Sequence, residues 1–249
     1  MIILNEKEWA ENAIQERVVG KRPTETLYRI AKYYFEEGYP KKDVRRFLDN
    51  FLLQCDQRTM VYEWGDRLDK IVNWASKNKL IVIGYISISK TEMQKIDELF
   101  TESRTLPRLA FTLLCIAKFK SITSNADGWV NNNDSEIMAL ANIKASVKFR
   151  SNLFSQLRDK GLISFSRQVD NTSVKVCFMD DNKSEAIRVS DFRNLGNQYL
   201  KYKGEAFFEC ENCGITTKKG KSCKPRKYCP DCSKIVQARQ NKESVYRLR

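Results

Sequence analysis

Residues 210–232 read CENCGITTKKGKSCKPRKYCPDC. Cys210 and Cys213 form one pair of thiols, Cys229 and Cys232 a second, and 15 residues lie between the pairs. Two intervening residues let both sulfurs of a pair reach one ion, and two such knuckles complete a tetrahedral shell with bonds of about 2.3 Å. Zinc suits an all-sulfur site, with iron as the alternative. A closed shell leaves no open coordination position, so the metal is expected to be structural. In so short a segment, metal binding supplies much of the folding free energy. The spacing therefore predicts a four-cysteine zinc ribbon over residues 205–249, ending in a basic helix over 233–247. Cys223 is left either free or as a competing ligand.

The loop between the knuckles carries Lys218, Lys219, Lys221, Lys224, Arg226 and Lys227 and no acidic residue. From Lys201 onward there are 13 Lys/Arg against 5 Asp/Glu, a net of +8. A metal–tetrathiolate core contributes about −2. The plain alternative is a solvated basic loop. Like charges on a small finger repel one another, however, and a phosphate backbone relieves that repulsion with release of counterions. The whole chain of 249 residues leans the same way, with 44 Lys/Arg, 31 Asp/Glu and a formal charge of +13. This balance favours a polyanionic partner, nucleic acid before membrane.

Composition also excludes some chemistry. With no histidine, there is no Ser-His-Asp triad, Cys-His dyad or His-Glu-x-x-His metalloprotease site. No P-loop glycine motif is present, and no carboxylate motif marks a nuclease. The sequence predicts no enzyme. The apolar runs Leu80–Ile83 and Ala110–Ile116 are too short to span a bilayer. The first residues show no basic region followed by an apolar stretch, so a cytoplasmic protein without membrane association is expected. Cys55, Cys115 and Cys177 sit singly in apolar segments and read as free thiols.

Upstream of the ribbon, residues 106–190 alternate in a telling order. A helix over 106–120 places Leu109, Leu113, Ile116 and Ala117 inward. A short strand follows at Gly128–Val130, then a helix over 134–140 capped by Asn133 or Asp134. After the turn Ala141-Asn142-Ile143 comes a helix over 146–160, closed by Gly161. Two β-prone runs, 162–169 and 173–179, flank a turn at Asp170-Asn171. This is the element order of a winged helix-turn-helix. In its helix over 146–160, Phe149, Leu153 and Leu157 are assigned to the core. Lys148, Ser151, Asn152 and Arg158 then face outward, with Lys144 just before the helix. The N-terminal part of such a helix enters the major groove. Lys148, Ser151 and Asn152 are candidates for base edges, Lys144 and Arg158 for phosphates, and Arg167 and Lys175 on the hairpin for a neighbouring phosphate. Winged helices also dock proteins, which keeps an adaptor reading open.

The remaining segments are helical domain, connector and link. Residues 1–79 carry four amphipathic stripes, including Leu27, Ile30 and Ala31, then Val44, Leu48 and Leu52, then Leu68, Ile71 and Val72. Residues 80–105 read as a connecting segment with a short β-prone run and a short helix. Residues 191–204 read as a linking helix. The fold class expected is mainly α with a small β content.

Two resemblances follow from particular residues. Gly20-Lys21-Arg22-Pro23, Leu27-Tyr28-Arg29-Ile30-Ala31, Glu37-Gly38-Tyr39 and Asp66-Arg67-Leu68-Asp69-Lys70-Ile71-Val72 resemble the small helical domain that follows the catalytic core of phage and plasmid primases. The chain departs from primases in lacking their catalytic domain and the histidine their active site uses. The resemblance implies an association with replication, not primer synthesis. Phe111-Thr112-Leu113-Leu114, Asp191-Phe192-Arg193-Asn194-Leu195-Gly196 and Tyr228-Cys229-Pro230-Asp231-Cys232 are similar to small zinc-ribbon proteins of Firmicutes phages and mobile elements. That resemblance implies a phage or prophage setting and no particular activity.

The expectation is a DNA-binding protein of a phage or mobile element, acting in replication or transcription regulation, with one structural zinc. A replication or host protein, or a second copy of the chain, is the further partner. The competing expectation is an adaptor or inhibitor that docks on a host enzyme through the winged helix and ribbon.

Overall fold

The computed structural model describes residues 2–55, 64–99, 103–166, 173–180, 184–220 and 225–247, with backbone alone for 242–247. The chain divides into two compact units, residues 1–84 and 85–249. It is mainly helical, with small antiparallel sheets.

The first unit consists, among the described residues, of helices α1 (Glu6–Glu16), α2 (Pro23–Glu36), α3 (Lys41–Cys55) and α4 (Gly65–Ala75). Their apolar stripes meet in one core of Ala10, Leu27, Ile30, Val44, Leu48, Leu68 and Ile71. One ionic cluster is buried beside it. Glu6 pairs with Lys32 and with Arg29 (3.4 Å), and its carboxylate also accepts the Ile81 amide at 2.9 Å. Lys32 donates to the Lys79 carbonyl at 3.1 Å. The cluster thus ties the segment after α4 back onto α1 and α2.

In the second unit, β1 (Ile86–Ser89) leads into α5 (Lys90–Asp97) through a capping box between Ser89 and Glu92. The segment expected as a connector is therefore folded, and β1 pairs antiparallel with β5 (Glu185–Val189), a strand the sequence did not announce. Glu92 is fully buried, with Lys118 at 2.7 Å and the Asp180 amide at 2.9 Å as partners. The unit is organised around α6 (Leu106–Ser124), buried on nearly every face from Leu106 to Phe119. Such all-round burial is why its apolar pattern runs almost continuously instead of forming a stripe. It extends past the expected end at Lys120 and closes on Asn125 in the left-handed conformation.

Then come β2 (Trp129–Val130), α7 (Asp134–Leu140), α8 (Val147–Asp159), β3 (Ile163–Phe165) and β4 (Val174–Val176). The three strands form one antiparallel sheet in the order β2-β4-β3. The expected turn at Asp170-Asn171, and Arg167, lie outside the described residues. After β5, α9 (Leu195–Tyr202) packs on α6, with Tyr199 and Phe111 rings 5.7 Å apart. A hairpin of β6 (Phe207–Glu209) and β7 (Thr216–Lys218) and the helix α10 (Pro230–Arg247) complete the chain.

The helical assignment of Phe149 to the core is corrected. At 3.6 residues per turn, the face α8 buries is Leu153, Phe154 and Leu157, and Phe149 falls on the exposed flank. Elsewhere α9 comes so close to the turn after α7 that a Cβ on Gly196 would lie 2.0 Å from the Ala141 carbonyl oxygen. Both are backbone positions, so neither yields easily. Gly196→Ala should destabilise the protein by about 3 kcal/mol or more. Gly65→Ala, in open space, should stay within about 1 kcal/mol of wild type on the stable side. Calorimetric unfolding of the two variants checks this contrast.

Candidate metal centre and nucleic-acid interface

The knuckles are built by backbone geometry. The β6–β7 hairpin pairs Glu209 with Thr216, and the Cys210 amide continues the ladder to the Ile215 carbonyl at 3.1 Å. Gly214, with φ of 74°, closes the first knuckle, and its amide reaches the Cys210 carbonyl at 2.8 Å. A left-handed residue here favours glycine because a Cβ would crowd the backbone. The second knuckle opens α10, with Pro230 at its first position and Cys232 inside its first turn.

All four sulfurs, Cys210, Cys213, Cys229 and Cys232, lie within 4.8 Å of one another. A tetrahedron with metal–sulfur bonds of about 2.3 Å has edges of about 3.8 Å, and Cys213 Sγ and Cys229 Sγ are 3.8 Å apart. The four cysteines are thus close enough to bind one metal ion. Amide donors surround them. The Cys229 N–H points at Cys210 Sγ (3.3 Å), the Cys232 N–H at Cys229 Sγ (3.5 Å) and the Asn212 side chain at Cys232 Sγ (3.3 Å). Burial pushes the Cys210 thiol up, but backbone amides of Cys229, Cys213 and Asn212 outweigh it and hold it down to about 6. Burial, aided by the three neighbouring sulfurs, pushes Cys213 up to about 12. The amide donors thus favour the thiolate at Cys210, while burial opposes it at Cys213. Four thiolates this close repel one another, and a bound cation would offset that repulsion.

The basic loop is exposed where it is described. Lys218, Lys219, Arg226 and Lys227 all face solvent. Arg226 lies across Gly220, where a Cβ would fall 2.8 Å from its Nε. Lys227 faces Glu211 at 3.7 Å. Lys221, Lys224 and Cys223 lie outside the described residues.

On the helical side, Ser146 caps α8, its Oγ accepting the Phe149 amide at 3.3 Å. Lys144, Lys148, Ser151 and Asn152 are all exposed. Two candidates already have partners. Arg158 pairs with Asp159 at 2.9 Å and covers the Phe165 ring, while Lys175 pairs with Asp127 at 2.7 Å and sits 6.0 Å over Trp129. Exposed pairs of this kind contribute at most about 1 kcal/mol, so a phosphate can compete for either cation. Arg150 was not singled out from the sequence. Its guanidinium donates to Ser135 Oγ at 2.7 Å and fixes the first turn of α8 to α7.

The joint between these two regions was also not singled out from the sequence. Asn142, left-handed with φ of 52°, donates to Asn197 Oδ1 at 2.9 Å. Asn197, buried on α9, donates in turn to the Thr216 carbonyl of β7 at 3.2 Å. Arg108 of α6 donates to the Ala141 carbonyl at 2.9 Å and to that of Asn142. Arg193, gripped by Asp191 at 2.6 Å, reaches the Cys213 carbonyl of the first knuckle. The stretch Asp191–Gly196 is therefore the seat on which the ribbon rests. A faint signal existed: Asn194-Leu195-Gly196-Asn197 concentrates polar and small residues where a plain amphipathic helix has no use for them.

Comparison with protein-family models, curated proteins and solved structures returns no match. Among the described residues, no helix is long and apolar enough to cross a membrane.

Metal analysis of the purified protein should find about one zinc per chain, because four thiolates fill one tetrahedral shell. Cys210→Ser and Cys229→Ser should lose it and Cys223→Ser should retain it. Zinc retained after loss of Cys210 would mean that the ligand set is wrong.

Proposed function

We propose that this chain is a non-enzymatic DNA-binding protein of a phage or mobile element, acting in replication or gene regulation, with a winged helix in residues 106–190 and a structural zinc in the C-terminal ribbon. The observation that carries the reading is the proximity of its two basic surfaces. Lys144 lies two residues past Asn142 and Lys218 two residues past Thr216, and one asparagine side chain, Asn197, bonds to both anchor residues. A cationic loop and the first turn of α8 are thereby held on neighbouring parts of one compact unit.

Several features support the winged-helix reading. The order helix, strand, helix, helix, hairpin and the sheet order β2-β4-β3 fit it, as does the exposure of Lys148, Ser151 and Asn152 on α8. In this reading the ribbon's lysines supply phosphate affinity without sequence preference. The first turns of α8 supply what specificity there is. The N-terminal helical unit recruits a replication protein, a host protein or a second copy of the chain. Zinc is the favoured metal because four sulfurs within 4.8 Å of one another suit its preference for a tetrahedral thiolate shell.

The adaptor reading is kept by one observation: α8 exposes apolar side chains as well as cationic ones. Binding to mixed-sequence duplex DNA separates the readings. DNA binding predicts affinity that falls linearly in log–log form with salt, with a slope set by the phosphates neutralised. Lys148→Ala should weaken binding more than Lys95→Ala, on the exposed side of α5, although each removes one charge. Equal losses would leave only a net-charge effect, and no binding at low salt would favour the adaptor.

A further inference from the structure

The first turn of α8 presents two large apolar side chains to solvent, Val147 at 71% and Phe149 at 44% exposure. Neither contributes to the buried face of the helix, which is Leu153, Phe154 and Leu157. They flank Lys148 in the sequence, and Ser146 fixes the turn that carries all three. Exposed single hydrophobics are ordinary. At about 100° per residue Val147 and Phe149 project to opposite flanks of the turn, so apolar surface borders both sides of the polar face formed by exposed Lys148, Ser151 and Asn152.

The surrounding charge narrows what can cover that face. Between residues 144 and 160 stand Lys144, Lys148, Arg150, Arg158 and Lys160 against a single acid, Asp159, which is itself bonded to Arg158. An occupant must be anionic at its rim and apolar at the points that meet Val147 and Phe149. Duplex DNA meets both conditions in the major groove. Its phosphates line the edges, and the 5-methyl group of thymine is the apolar feature among the base edges.

We infer that Val147 and Phe149 are specificity-determining residues that contact thymine methyl groups, an inference that rests on the DNA-binding reading above. Lys148, Ser151 and Asn152 then take the polar base edges and phosphates beside them. The preference is for duplex sites with thymine at two positions bracketing the one faced by Lys148.

The test uses the full zinc-loaded chain. Binding sites are selected from a random duplex pool, and each thymine of the selected site is then replaced by deoxyuridine, which removes the methyl group and keeps the base pair. At one or two positions the replacement should weaken binding about 3- to 10-fold, the scale of one buried methyl. The Val147→Ser/Phe149→Ser double variant, with an unchanged melting temperature, should bind the thymine and deoxyuridine sites equally. Wild-type binding that is the same for both bases at every position would overturn the inference while leaving DNA binding intact. Failure of the wild-type chain to select any duplex site would overturn the DNA-binding reading, and this inference with it. The deoxyuridine series needs only wild-type protein, so it can overturn the inference even if the double variant does not fold.

Discussion

Two backbone carbonyls, those of Ala141 and Thr216, end up beside α9, where side chains rather than strand or helix amides bond to them among the described residues. Buried polar groups of this kind must be hydrogen-bonded or they cost about 1–3 kcal/mol each. Arg108 reaches the first and Asn197 the second, while Asn142 closes the chain between them. Glycine at 196 is what lets the backbones approach closely enough for this to happen. The arrangement is a connected polar network, although Arg108 Nε is buried without a hydrogen-bond partner among the described residues, and directional bonds of this kind fix one geometry more sharply than apolar packing does. The orientation of the ribbon relative to α7 and α8 follows from it.

The sulfur cluster supplies the second constraint. A hairpin with strands of three residues each cannot hold its shape on hydrophobic burial alone, and the buried residues around it are chiefly the cysteines themselves. The four sulfurs stand close enough to share one metal ion, and a cation there would offset their mutual repulsion as thiolates. Arg193 joins the two constraints, since its guanidinium bonds to the carbonyl of Cys213 while Asp191 holds it in place. That contact ties the first knuckle to the segment leading into α9, and Asn197 of α9 accepts from Asn142 in the turn before α8.

Much of this was legible in the sequence where local chemistry decides structure. The C-x-x-C pairs give the ligands because two-residue spacing is dictated by the size of the ion. The amphipathic stripes of α1 to α4 give the first core, and Asn133, Ser146 and Gly161 mark helix ends as capping chemistry requires. What escaped was non-local. Strand β5 carries no alternating apolar pattern strong enough to announce it, and exists because β1 offers an edge some hundred residues earlier in the chain. Phe149 shares the i, i+4 spacing of Leu153 and Leu157, so periodicity placed it in the core. The true buried face uses Phe154 instead, because α8 is rotated by its contacts with α6, β3 and the Arg150–Ser135 bond. The polar joint was missed because asparagine, arginine and glycine have many uses, and only the approach of α9 to Ala141 shows which one applies.

The central claim is that the first turns of α8 and the lysine loop of the ribbon bind one polyanion together. Lysine acetylation footprinting of the intact protein, with and without duplex DNA at low salt, tests it most directly. The account predicts that Lys144, Lys148, Lys218 and Lys219 are protected together while Lys95 reacts as before. Protection confined to one of the two surfaces, or absent from both, would contradict it.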